Sequence, residues 1–131
     1  MVQEGKEMNH VKAMTYAPKV AGVRDGTIRQ TIRIGSKVSV GDTILFHGWK
    51  GRPYVTKWSW RMRVTVTKTI SIRAYETGFL MKGAYYSWRS CTADTLARLD
   101  GVPSGEELGK LLTEMHGLGN VQGTMMQVIR W

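Results

Sequence analysis

The stretch WSWRMRVTVTKTISIR, Trp58 to Arg73, alternates apolar and polar residues over most of its length. Successive side chains of a β-strand point to opposite faces, so alternation of this kind is the mark of a half-buried strand. From Trp60 to Val66, residues Trp60, Met62, Val64 and Val66 share one face, and Arg61, Arg63, Thr65 and Thr67 share the other. One face packs and the other is cationic. Trp60 is therefore expected in the core, and Trp58, two residues earlier, is expected on the same face. A chain built around this segment is β-rich.

The flanking segments fit the same picture. VKAMTYAP (Val11 to Pro18) reads as a first strand, and PKVAGVRDG as one helical turn or a loop. TIRQTIRI reads as a strand with Ile28, Ile32 and Ile34 available to the core. VGDTILFHGW is a further β segment entered by a Gly-Asp turn, and GWKGRPY is a loop. Farther on, TADTLARLDG predicts a short helix capped near Thr92 or Asp94 and stopped by Gly101. PSGEELGKLLTEMHG predicts a second helix, with Ser104 and Glu107 at capping-box spacing and Gly117 as its stop. TMMQVIRW is a closing strand. With 131 residues there is room for one domain. The expected fold is α+β: a small β-barrel with two or three short helices, over residues 11–131, after a flexible N-terminal segment 1–10.

Charge narrows the class of partner. The net charge is +9, and it is unevenly placed: residues 1–75 carry 14 Lys/Arg against 4 Asp/Glu. Between Asp42 and Glu76 there is no acidic residue, while Lys50, Arg52, Lys57, Arg61, Arg63, Lys68 and Arg73 all lie there. Such a field concentrates polyanions. A single cysteine, Cys91, excludes a disulfide framework. His10, His47 and His116 lack the spacing of metal ligands, so no metal and no cofactor is expected. No run of about 18 apolar residues predicts a membrane span. MVQEGKEMNH lacks the apolar core of a signal peptide, so a cytoplasmic location is the expectation.

Thr31 and Arg33 are two apart and would share one strand face, with Thr27 and Arg29 continuing it. Two guanidinium forks in a row suit phosphate or base-edge recognition. Lys37, in the loop that follows, is expected either as a further phosphate contact or as a solvated side chain. Asp42 beside Gly41 is expected to cap its turn, with an ion pair to Arg29 or Arg33 as the other reading. In HGWKGRPYVTKWSWR, Trp49 and Tyr54 are candidates for stacking bases, among Lys50, Arg52, Lys57, Arg61 and Arg63. Stacked bases contribute about 1–3 kcal/mol each while cations follow the backbone.

Four pieces in order resemble the ASCH domain, a branch of the PUA-like superfamily: the strand VKAMTYAP, TIRQTIR with KVSVGDTILF, LARLDGVPSGEEL, and MQVIRW. The resemblance implies a PUA-like pseudo-barrel with a cleft beside the Thr-Ile-Arg strand, and a link to RNA. One branch of the family resembles small amidohydrolases that remove the acetyl group from N(4)-acetylcytidine. That branch uses a Lys, a Thr three residues later and an acid near a helix–Gly turn. Carried over, the Thr falls on Thr31, the acid on Asp100 and the Lys position on Ile28; another register gives Thr27 and Arg24. Neither Ile nor Arg serves as a base. The reading is therefore an RNA-binding module, with RNA as the expected partner, DNA as an alternative and no membrane. The alternative function is a hydrolase on RNA, a ribonuclease, or on a modified nucleoside, with Thr31 and Asp100 catalytic and His47 and Glu76 as further acid–base candidates. Poor or no turnover of N(4)-acetylcytidine is expected.

Overall fold

The computed structural model describes residues 8–14, 17–35, 37–49, 57–119 and 121–131. Among them lie β1 (Asn9–Ala13), α1 (Ala17–Asp25), β2 (Gln30–Ile34), β3 (Thr43–Trp49), β4 (Trp58–Thr65), β5 (Lys68–Ala74), β6 (Gly78–Met81), β7 (Ala84–Ser87), α2 (Cys91–Leu99), α3 (Gly105–His116) and β8 (Thr124–Arg130). The class is α+β. The strands form two sheets, one of order β1-β3-β4 and one of order β2-β8-β5-β6-β7. β1 runs parallel to β3, and all the other pairs are antiparallel. β1 begins at Asn9, two residues ahead of the expected domain boundary.

The alternating segment divides at Val66 and Thr67. Val66 N–H donates to Asp42 O at 2.8 Å, and Thr67 N–H donates to Arg130 O at 2.9 Å. The chain thus leaves one sheet and enters the other within two residues. Two apolar clusters result. Ile32, Ile70, Ile72, Phe79, Met126 and Val128 pack under α2 and α3 through Trp88, Leu96, Leu108 and Leu112. Ile44, Phe46, Val64, Val66, Ile129 and Trp131 pack with Val23 of α1. β8 feeds both, with Met126 and Val128 on one face and Ile129 on the other.

Both C-terminal helices follow their capping chemistry. Ser104 Oγ accepts from Glu107 N–H at 3.2 Å, and Gly117 closes α3 with a left-handed φ of 65°. Ser90, rather than Thr92 or Asp94, caps α2: its Oγ accepts from Ala93 N–H at 3.1 Å. Two elements go beyond the expectation. PKVAGVRDG belongs to a full nine-residue helix, with Pro18 in its first turn, where a missing N–H costs nothing. β6 and β7 form a hairpin turning on Lys82 (φ 52°) and Gly83 (φ 83°), the positive angles a two-residue turn requires.

The expected face of Trp58 is corrected. The register shifts between Gly48 and Trp49, so Gly48 lies opposite Trp60 and Trp49 opposite Trp58. This bulge moves Trp58 to the outer face, stacked on His47 at 4.0 Å between centroids. Trp60 and Met62 are half-buried against the second cluster, as their phase predicts.

Candidate functional site

β2 ends the five-stranded sheet and β1 ends the three-stranded one. The gap between these edges is a cleft of about 200 Å³. Lys19, Thr31, Arg33 and Asp100 supply its polar lining, next to Ala13 and Met14. Val102, Leu108, Leu111, Leu112 and Met115 form an apolar wall. Arg33 spans the gap: its Nη2 donates to Ala13 O at 2.9 Å, joining the two sheet edges.

Thr31, Lys19 and Asp100 meet inside. They are 2%, 9% and 5% exposed. Lys19 Nζ donates to Asp100 Oδ2 at 2.6 Å and to Thr31 Oγ1 at 3.3 Å. Arg33 Nε donates to the same Thr31 oxygen at 3.2 Å. Gln30, also buried, donates from Nε2 to Asp100 Oδ1 at 3.3 Å and to Leu96 O at 3.0 Å. Its own oxygen accepts from Arg130 Nε at 2.8 Å. The carboxylate is thus fixed from two sides.

Local structure explains the meeting. Asp100 is the C-cap residue of α2, with its N–H turned back to Leu96 O and Ala97 O. Gly101 follows at φ 84°, a conformation that sends the chain away while the aspartate stays inward. Ile28 fills the space between Gly22 of α1 and Gly101; a Cβ on either glycine would collide with its Cδ1. That contact holds α1 against the end of α2 and brings Lys19 to Asp100. The position at which the resemblance seeks a lysine, Ile28, is therefore a packing residue, and the lysine in contact with Thr31 and Asp100 is Lys19 of α1.

Burial pushes Lys19 below the ordinary lysine value, and nearby Arg33 adds to this, while Asp100 opposes it. Burial likewise pushes Asp100 up against the pull of Lys19, Gln30 and Arg33. Both shifts bring the two groups closer in proton affinity across the 2.6 Å contact. A lysine so placed has access to its neutral amine form, which can accept a proton.

The other expected residues distribute as follows. Arg29 does not extend the face of Thr31 and Arg33. It precedes β2, and its Nε donates to Trp131 O at 2.8 Å. Thr27 is taken up in the link after α1, donating to Asp25 Oδ1 at 2.6 Å. Arg24 lies over the Trp60 ring, so the register through Thr27 and Arg24 leads away from the cleft. Asp42 caps its turn by accepting from Ser39 N–H at 2.9 Å. Its side-chain partner is His10, at 2.8 Å, and not an arginine. Lys57, Arg61 and Arg63 are exposed, the last two on the outer face of β4. His47 stands on that outer face, its ring covered by Trp58 and Trp49, and does not line the cleft. Glu76 lines a separate groove with Trp88 and Glu106. Lys50, Arg52 and Tyr54 lie outside the described residues. No helix among the described residues is long and apolar enough to cross a membrane.

Compared with protein-family models, with curated proteins and with solved structures, the chain finds no match.

Proposed function

We propose that the chain is an amidohydrolase of ASCH type, acting on a small acylated nucleoside such as N(4)-acetylcytidine in the cleft beside β2. The observation that carries this is the Lys19–Thr31–Asp100 cluster at 3.3 and 2.6 Å in a cavity of nucleoside scale. The expectation of poor turnover rested on the lack of a base beside Thr31, and Lys19 fills that position from α1. Two sheets that face each other across a cleft also agree with a PUA-like pseudo-barrel open at the β1 and β2 edges.

In this reading Thr31 Oγ attacks the amide carbonyl carbon as Lys19 Nζ takes the hydroxyl proton. Asp100 orients the amine and balances its gained charge. Arg33 Nε positions Thr31 and stands ready for the oxyanion. Collapse breaks the C–N bond, and Lys19 returns its proton to the leaving exocyclic amine. Water then hydrolyses the threonyl ester, releasing the carboxylic acid and restoring Thr31. The apolar wall receives the flat face of the base. The test is release of cytidine from N(4)-acetylcytidine by the purified chain, lost in both Thr31→Ala and Lys19→Met. An inactive parent protein, or an unaffected Lys19→Met, sinks the reading.

A second reading, RNA binding, is favoured by a different observation. Arg61 and Arg63 project from β4, close to the stacked His47 and Trp58, and no acidic side chain pairs with either among the described residues. RNA binding that weakens with salt is its test.

A further inference from the structure

The cleft has a second charged feature, of which the proposed amide hydrolysis uses only Arg33. Arg33 and His116 both line it. Lys12 is the residue before Ala13, whose carbonyl holds the Arg33 guanidinium. Lys12 also lies opposite Phe46 in the β1–β3 register, and the Arg33 guanidinium carbon is 6.0 Å from that ring. Lys37 is fixed nearby. Gln127 stands opposite Arg33 on β8, and its side chain clamps the backbone next to Lys37. Val38 N–H donates to Gln127 Oε1 at 3.1 Å, and Gln127 Nε2 donates to Val38 O at 2.6 Å. The loop that carries Lys37 is thus tied to the strand face that carries Arg33.

These groups repel one another. Burial comes first in lowering Lys12, and Arg33 and Lys37 then add to it. Burial also lowers His116, again with Arg33 contributing. The acid close to them is Asp100, which is taken by Lys19. No acidic side chain pairs with Lys12, Arg33 or Lys37 among the described residues. A fold does not gather cations at the rim of a cleft for stability, since like charges cost free energy there. The arrangement is complementary to a dianion.

We propose that Lys12, Arg33, Lys37 and His116 form a phosphate subsite at the mouth of the cleft, so that the substrate is an acylated nucleotide rather than a free nucleoside. This rests on the amidohydrolase reading for the base end of the ligand. The phosphate is either that of a mononucleotide or one in the backbone of a single-stranded RNA. Lys12 and Lys37 supply charge from the rim, Arg33 supplies a fork, and the His116 ring supplies a further nitrogen from the cleft lining.

The experiment compares kcat/KM for N(4)-acetylcytidine, its 5′- and 3′-monophosphates, and a short oligoribonucleotide with one N(4)-acetylcytidine. A phosphorylated form should be preferred by about tenfold or more, the gain expected of one or two charge-assisted bonds. The preference should fall by a similar factor in the double variant Lys12→Gln/Lys37→Gln, both residues lying at the surface or half-buried. A gain for the monophosphates supports a mononucleotide, and a gain confined to the oligomer supports RNA as the source. Equal kcat/KM for all four overturns the subsite while leaving the hydrolase reading intact. Should none be deacetylated, that reading fails, and calorimetry with cytidine monophosphates against cytidine decides the subsite alone. Tighter binding of a monophosphate that is lost in the double variant supports it; equal or undetectable binding of both overturns it.

Discussion

The cleft face of β2 and the outer face of β4 are written in the same code. Thr-Ile-Arg on β2 and Arg-Met-Arg on β4 both set polar residues on alternate positions beside apolar ones. Yet Thr31 is buried and Arg33 half-buried between two sheet edges, whereas Arg61 and Arg63 are exposed. Alternation reports a side-chain period and nothing about what covers each face. On β4 nothing described covers the cations, and water screens them. On β2 the edge of the second sheet and α1 come down over the polar face, and every group there acquires a partner. The same residue types thereby become a solvated surface in one place and a set of coupled, pKa-shifted groups in the other.

The largest effects should separate these faces most clearly. Thr31→Ala and Lys19→Met should each lower amide turnover by about 10²-fold or more, the usual worth of a positioned nucleophile or base. Turnover should rise with pH, because the proposed base is the neutral amine. Since Lys19 is lowered, that rise should lie below the ordinary lysine value of about 10.4. A profile flat through that range, or falling, would remove Lys19 as the base.

Stability comes next. Asp100→Ala leaves Lys19 buried without its counter-charge and should cost about 3–5 kcal/mol in denaturant melts. Arg63→Ala, on the exposed face, should stay within about 0.5 kcal/mol of the parent. Similar losses for the two would mean that the faces do not differ in burial as described.

The His10–Asp42 pair is an intermediate case. Burial alone would raise Asp42, but the hydrogen bonds from His10, Ser39 and Met8 outweigh it and hold the carboxyl below its ordinary value. A depressed folded value stabilises the fold above the unfolded value of about 3.9, and this contribution is lost as pH falls through the folded one. Thermal melts from pH 6 downward should therefore show an acid-side decline that is shallower in Asp42→Asn. Identical slopes would count against the pairing.

The smallest effect belongs to β4. Arg61→Gln and Arg63→Gln should each reduce the salt slope of single-stranded RNA affinity by about 0.7. An unchanged slope would count against β4 as an RNA-binding face.

Much of the framework was legible. The phase of Trp60, Met62 and Val64, the Ser104 cap and the Gly117 stop follow from local rules that the fold obeys. Thr31 and Asp100 were marked through resemblance, and no spacing in the chain joins them. Lys19 was missed for a physical reason. It sits in APKVAGVRD, whose proline, glycine and scattered valines give weak helical periodicity, and a lysine is ordinarily read as solvated. Its burial depends on Ile28 wedged between two glycines far apart in sequence. Gln30, which orients Asp100, carried no signal for similar reasons. Trp58 was misplaced because a bulge, which alternation cannot show, reverses the phase beyond Gly48.

The place of β8 bears on how the chain acquires its shape. Gln30 pairs with Arg130, and Lys68 pairs with the same residue from the other side. Until residues 124–130 have left the ribosome, β2 has no neighbour in its sheet, β5 lacks one of its two, and each apolar cluster lacks a wall. Folding must then close a loop of most of the domain before its central contacts form, an arrangement of high contact order that slows folding. Until then β2 stays unpaired and one edge of β5 stays open, and the window for capture by chaperones is correspondingly long.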